Sequence, residues 1–350
     1  MQVGNRVRIS RPQRCISTCA LRTADRDERN MTSLGPAKRT QQLQDTEGLD
    51  IAQPLQDIEC VDLRSGCPDV PPADFVVEAL QEAISQDALH QYTRDLGHVR
   101  LVNALARMYS LLTERDIDPL NEILVTVGAH GALHDTFQGL VNPGDEVIII
   151  EPFSNRYESM VRMADGVPVF VPLRLKKEVA GTTADWILDR QELASKFNPN
   201  TRMIILNTPH CPTGKEAIAV ALENVTKQIA DPAGYLSTLS ASMQKKRDFM
   251  CRAMSSAGIQ STIPEAGHFI VCDFSSIASK VQLEGKEPKE CMLATWLLKT
   301  KNLLVFPLSA CYSADHRHLA GYRMRICFAK RDSVLEKAAA VLSQLAAVSS

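Results

Sequence analysis

The sequence predicts an α/β protein with a mostly parallel sheet, followed by a small α+β unit towards the C-terminus. Three observations carry that reading. Strand-like and helix-like patterns alternate from Val99 to Asn207, as in a parallel sheet with right-handed crossovers. The run "EVIIIEP" is apolar without alternation, as expected of a strand covered on both faces. From "HFIVCDFS" onward, strands are separated by single helices, which suggests a second, smaller domain.

Each element has its own signal. Apolar residues recur at helical spacing from Val99 to Leu112. "EILVTVG", Glu122 to Gly128, reads as a short strand, and "GALHDTFQGLV" reads as a helix ending at the turn Asn142-Pro143-Gly144-Asp145. "EVIIIEP" is the second strand, Ser154 to Ala164 the next helix and "GVPVFVPL" the third strand. "DRQELASKF" is a helix with Asp189 available as its cap. "TRMIILN" is the fourth strand. After Lys215 the rhythm changes, because Glu216–Ala230 and Gly234–Ala257 are both helix-patterned with no strand between. Then follow "HFIVCDFS", a helix over Met292–Leu298, "LLVFPL", "YRMRICFA" and a last helix from Ser333.

Bulk properties narrow the function. The 350 residues are 45% hydrophobic and 23% charged, enough for one large domain and a smaller one. A net charge of -2 argues against nucleic acid as a partner. The longest apolar runs are too short to cross a bilayer, so no membrane role is expected. The 10 cysteines are scattered without a CxxC pair, which reads as reduced thiols in an intracellular compartment. Arg6, Arg8, Arg11, Arg14 and Arg22 precede the first acidic residue, Asp25. Residues 1–30 therefore resemble a mitochondrial transit peptide. The alternative is a disordered leader, with Met31 as a second start giving a cytoplasmic form.

Several motifs fail on inspection. "CPTGKE" lacks the first glycine and the hydroxyl residue of a phosphate-binding loop, having Pro209 and Glu216 in those places. His130 and His134 share a helical face, but no third ligand accompanies them, so no metal is expected. Ser242 and Lys245 lie in a helix whose basic residues look solvated. Three features point more sharply. "RSGCPD" puts Gly66 in a turn open to close backbone approach. "TVGAHGALHDTF" offers a small-residue turn before a helix, an arrangement that seats anions. "RMRICFAK" places Arg325 on a strand between apolar neighbours, where it needs a carboxylate to grip.

Taken in order, "HQYTRDLG", "EILVTVGAHGALHDTFQGLVNPGDEVIIIEPF", "MIILNTPHCPTGK", "IPEAGHFIVCDFS" and "YRMRICFAK" resemble a class I aminotransferase. The group is that of kynurenine aminotransferase and glutamine transaminase K, which includes cysteine-conjugate β-lyase. The resemblance implies the pyridoxal 5'-phosphate (PLP)-dependent fold type I. It implies amino transfer between amino acids and 2-oxo acids, with cysteine-conjugate β-lysis as a side activity, on a homodimer. It gives Gly66 and Arg325 to the substrate carboxylate. It puts the turn from Gly128 through Ala129 and His130 to Ala132 near the cofactor phosphate. Tyr92 matches a tyrosine that reaches the neighbouring subunit's phosphate site, and Asn207 matches the first asparagine of the family's "NTPNNP" turn, a cofactor-binding position.

The departures are equally specific. Cys211 stands where the family's second functional asparagine belongs, Ser154 where its ring-stacking aromatic belongs, and His130 where its phosphate-turn tyrosine belongs. After Lys215 the chain runs straight into "EAIAVALENV", which resembles a helix lying well beyond the active-site segment. The intervening strand–helix units would carry an aspartate, a tyrosine, the Schiff-base lysine and a basic phosphate ligand. The expected layout is a leader (1–30), an N-terminal arm with part of the small domain (31–98), a truncated large PLP-binding domain (99–232) and a small C-terminal domain (233–350). No catalytic residue is assigned, impaired PLP binding is expected, and so is inactivity. The alternative is a non-catalytic, splice-type variant acting as an inactive or dimer-forming partner subunit in a homodimer or mixed dimer.

Overall fold

The structure is a computed structural model, and it describes residues 60–176, 181–214, 235–283 and 288–349. All belong to one compact unit, Lys38–Ser350. The leader and the helix expected over Glu216–Ala230 lie outside the described residues.

The first sheet has four strands. β2 (Glu146–Glu151) pairs in parallel with β3 (Val167–Leu175) on one side and with β5 (Thr201–Ile205) on the other. β4 (Trp186–Leu188) adds an antiparallel edge to β3. Both faces of β2 are covered, which explains its continuous apolar sequence. On one side Val147 and Ile149 pack with Phe137 of α3 (Gly128–Leu140) and Val161 of α4 (Arg156–Met163). On the other, Ile150 packs into a cluster with Leu173, Trp186, Leu308 and Tyr312. The Asp189 carboxylate caps α5 (Arg190–Ser195), accepting from the Gln191 and Glu192 amides at 2.8 and 3.1 Å.

The second sheet is antiparallel, in the order β6 (Gln260–Thr262), β7 (Phe269–Asp273), β10 (Arg323–Cys327), β9 (Phe306–Pro307). The long helices α6 (Tyr235–Ser256), α7 (Lys289–Lys301) and α8 (Asp332–Ser349) bury their apolar residues against it. Met250, Ile270, Leu297, Ile326 and Leu342 belong to that core. β1 (Val61–Asp62) pairs with β8 (Leu303–Leu304), and the Cys327 amide donates to the Leu63 carbonyl at 2.8 Å. The turn that follows β1 is thereby held against the second sheet.

Two expectations are corrected. Glu122–Gly128 forms no strand. Val125 donates one amide bond to Leu96, at 3.1 Å, but no neighbouring strand is present among the described residues. A strand exists only as part of a ladder, so β propensity without a partner leaves extended coil. "LLVFPL" is not one strand either, because β8 pairs with β1 whereas β9 pairs with β10. β4, β6 and helix α1 (Asp74–Ile84) were not anticipated.

Candidate functional site

The site grows from the alternation of β10. Met324 and Ile326 point into the core, so Arg325 emerges on the opposite face. There its guanidinium carbon lies 4.3 Å from the centre of the Phe269 ring and 4.2 Å from that of Phe306. Two rings stacked on a cation hold it in place and leave its edge for a planar ligand. Nη2 donates to the Arg64 carbonyl at 3.3 Å, and Nε is buried without a partner among the described residues. This arginine is held in position and only partly satisfied.

Gly66 borders the same ring. A Cβ at this position would lie 2.7 Å from Phe269 Cζ and 3.6 Å from His268 Nε2, so only glycine lets the turn approach. His268 tilts over Phe269 with ring centres 4.2 Å apart, and it hydrogen-bonds the Gly66 main chain. Burial, then Arg325, pulls the imidazole pKa below its ordinary value. Nearby, Lys330 is buried and donates to the Cys67 carbonyl at 2.9 Å.

The turn after β5 closes another side. Cys211 packs on Phe269, Cys327 and Ala329. Burial pushes its thiol pKa up, and Arg325 works against that shift. Burial lifts Cys311 further, to about 12. Neither thiol is a ready nucleophile in this setting. Gly214 fixes the end of the turn, since a Cβ there would meet Pro264 Cβ at 2.5 Å and the Ala266 carbonyl at 2.8 Å. His210 Nδ1 and Thr213 Oγ1 are 2.9 Å apart within it, and Asn207 is half-buried at its start.

The remaining sequence-derived residues lie apart from this constellation in character. Gly128, Ala129 and His130 open α3 at the surface, and all three are exposed. Val127, which caps the helix, is 95% exposed, and Tyr92 is fully exposed. Phe153, next to the expected stacking position, is buried against Phe170 with ring centres 5.5 Å apart. Its amide donates to the Cys311 carbonyl at 2.7 Å. It is therefore a core residue, and Ser154 beside it offers no ring. At the end of β2 the Glu151 carboxylate is fully buried, accepting from the Ser313 amide and bonding His316 Nδ1.

The sequence singled out Gly66 and Arg325, which the structure brings to the same ring, but not Phe269, Phe306 or His268. Phe269 on β7 and Phe306 on β9 lie far apart in sequence, so no local motif signals their pairing on Arg325. The one available hint was the adjacent His-Phe pair in "GHFIV".

An antiparallel domain that clamps an arginine beside a parallel sheet matches a known architecture. The chain belongs to the family "Aminotransferase class I and II", whose model matches residues 58–230. Within that family it groups with the kynurenine-type transaminases. It is 32% identical to kynurenine–oxoglutarate transaminase 3 of Mus musculus over 402 residues, covering 86% of this chain and 88% of the relative. It is 31% identical to kynurenine–oxoglutarate transaminase 1 of Homo sapiens over 381 residues, covering 79% and 90%. Among solved structures, Bna3p of Saccharomyces cerevisiae aligns with a TM-score of 0.74 at 21% identity, covering 83% of this chain and 92% of Bna3p. An aspartate aminotransferase mutant of Thermus thermophilus aligns at 0.68 with 20% identity, covering 89% and 99%. These neighbours share the PLP-dependent fold type I.

Since 86% of 350 residues is about 301, roughly 100 of the 402 positions aligned with the Mus musculus relative hold no residue of this chain. The family implies PLP. Among the described residues, the N-terminus of α3 is exposed, and Phe153, beside the expected stacking position, is buried in the core. The one buried lysine among the described residues, Lys330, is tied to a carbonyl.

Proposed function

We propose that this chain keeps the carboxylate-recognition half of a kynurenine- or glutamine-type aminotransferase without the half that carries out amino transfer. The observation that carries this is Arg325, stacked between Phe269 and Phe306 with its Nε buried and unpaired among the described residues. A guanidinium held this way is complementary to the carboxylate of an amino acid or a 2-oxo acid. Gly66 supports the assignment, because its missing side chain lets the turn after β1 pack directly against the ring that seats Arg325. Amino transfer, or β-lysis of a cysteine conjugate, needs an amine to capture the cofactor aldehyde and to move the proton. The buried lysine among the described residues, Lys330, is tied to the Cys67 carbonyl, so no step through PLP is assigned to it.

A second reading has its own support. Tyr92, Leu111 and Val127 are apolar or aromatic yet largely exposed. Gathered into one patch, such side chains would suit an interaction surface. They favour a non-catalytic subunit that pairs with another copy or with an intact relative. The arginine-bearing leader supports mitochondrial delivery, and Met31 supports a cytoplasmic form.

Binding and turnover separate these roles. Titration calorimetry should show 2-oxoglutarate binding that Arg325→Ala weakens about tenfold to a hundredfold, the value of a charge-assisted hydrogen bond. With PLP added, kynurenine and 2-oxoglutarate should give no product above buffer. Unchanged affinity in Arg325→Ala would remove the carboxylate assignment, and turnover would remove the assignment of inactivity.

A further inference from the structure

We propose that His268 is a second cationic contact for the bound carboxylate, and that binding of an amino or 2-oxo acid places a proton on its imidazole. The inference rests on the reading that Arg325 holds that carboxylate, and it adds a residue that the sequence motifs did not single out.

The geometry supplies the argument. His268 and Arg325 both lie on the Phe269 ring, at 4.2 and 4.3 Å respectively. His268 Nε2 is 3.6 Å from the place where Gly66 would carry a side chain, so the imidazole packs at the Gly66 turn, against the ring that also seats the arginine. The charged groups that face His268 among the described residues are Arg325 on β10 and Lys330 just beyond it. The turn after β1 contributes the Gly66 main chain. The hydrogen bonds shown for the two cations go to neutral carbonyls, of Arg64 and Cys67. Partly buried positive charge satisfied only by dipoles favours an anion.

The protonation state of His268 follows that charge balance. In the free cleft, burial and the two cations hold the imidazole below its ordinary value, against the favourable bond to Gly66. It is therefore neutral at pH 7, with one ring nitrogen committed to that bond. An incoming carboxylate offsets the cations and gives the second nitrogen an acceptor. Binding then raises the imidazole pKa and takes up a proton. By linkage, affinity must strengthen as pH falls through the window between the bound and free values, and must level off below it. For one proton the slope reaches at most about tenfold per pH unit.

Imidazole C–H resonances followed by NMR test this in the unaltered protein, with 2-oxoglutarate as the probe. The His268 resonance should titrate at higher pH when the probe is bound. Calorimetry in buffers of different ionisation enthalpy should show proton uptake on binding. His268→Gln should bind the probe more weakly and lose the rise in affinity at low pH. If binding depends on Arg325 yet His268 titrates identically with and without probe, this inference fails while the carboxylate assignment stands. Absence of Arg325-dependent binding at every pH overturns both.

Discussion

The C-terminal sheet with its helices and the segment from Asp74 to Leu140 are both rich in apolar residues, and those residues have opposite fates. In the first, Met250, Phe274, Leu293, Leu297 and Ile326 are completely buried beneath three long helices. In the second, α1 buries no residue, α2 (Val99–Thr113) buries only Val102 and Ala106, and α3 buries only Phe137. Phe75, Leu80, Ile84 and Leu111 stay largely exposed. The difference teaches that amphipathic pattern supplies a face, and a partner surface must supply the burial. The antiparallel domain carries its own partners. The N-terminal helices do not have theirs among the described residues.

That comparison is open to test by truncation. Leu297→Ala should cost about 2–5 kcal/mol, the range for emptying a fully enclosed leucine site. Leu111→Ala on α2, 60% exposed, should shift stability by less than about 0.5 kcal/mol. Denaturant midpoints measured side by side check both. Equal losses at the two sites would break the contrast.

A smaller effect is expected where the two sheets meet. Glu151 is held by the Ser313 amide and by His316. His316→Ala should cost about 1–3 kcal/mol, because it strips a buried carboxyl of a partner. The pH dependence has a defined sign. Burial raises the Glu151 carboxyl above its ordinary 4.5, outweighing the two hydrogen-bond partners. The unfolded chain therefore releases this proton first as pH climbs. This group's contribution to stability should fall as pH rises from about 4.5 through the raised value, and then flatten. Glu151→Gln should abolish that slope in midpoints recorded across the acid range.

Gly66→Ala sharpens the comparison within the cleft itself. The new methyl would meet the Phe269 ring at 2.7 Å, so the ring must move. About 1–3 kcal/mol of stability should be lost. Weaker 2-oxoglutarate binding should accompany it, since Phe269 also seats Arg325. The smallest change is predicted for Leu111→Lys, which should leave the midpoint within about 0.5 kcal/mol and raise solubility.

The legible part of the molecule follows the same division. The buried strand β2, the Asp189 cap and the emergence of Arg325 from β10 each follow from a run of a few residues. The Arg325 sandwich does not, because β7, β9 and β10 contribute one residue each. β4 and β6 are three residues long and antiparallel, too short for a periodic signal. Glu122–Gly128 had the right composition for a strand but lacks a neighbouring strand among the described residues. Gly128, Ala129, His130 and Tyr92 were assigned through resemblance to intact relatives. All four are exposed here.

The central claim is that the carboxylate clamp persists without an amine to hold the cofactor. Incubating the purified chain with PLP, reducing with borohydride and mapping lysine-containing peptides by mass spectrometry addresses it directly. The account predicts only scattered, substoichiometric labelling of surface lysines. One lysine carrying the reduced cofactor in near-unit amount would contradict it.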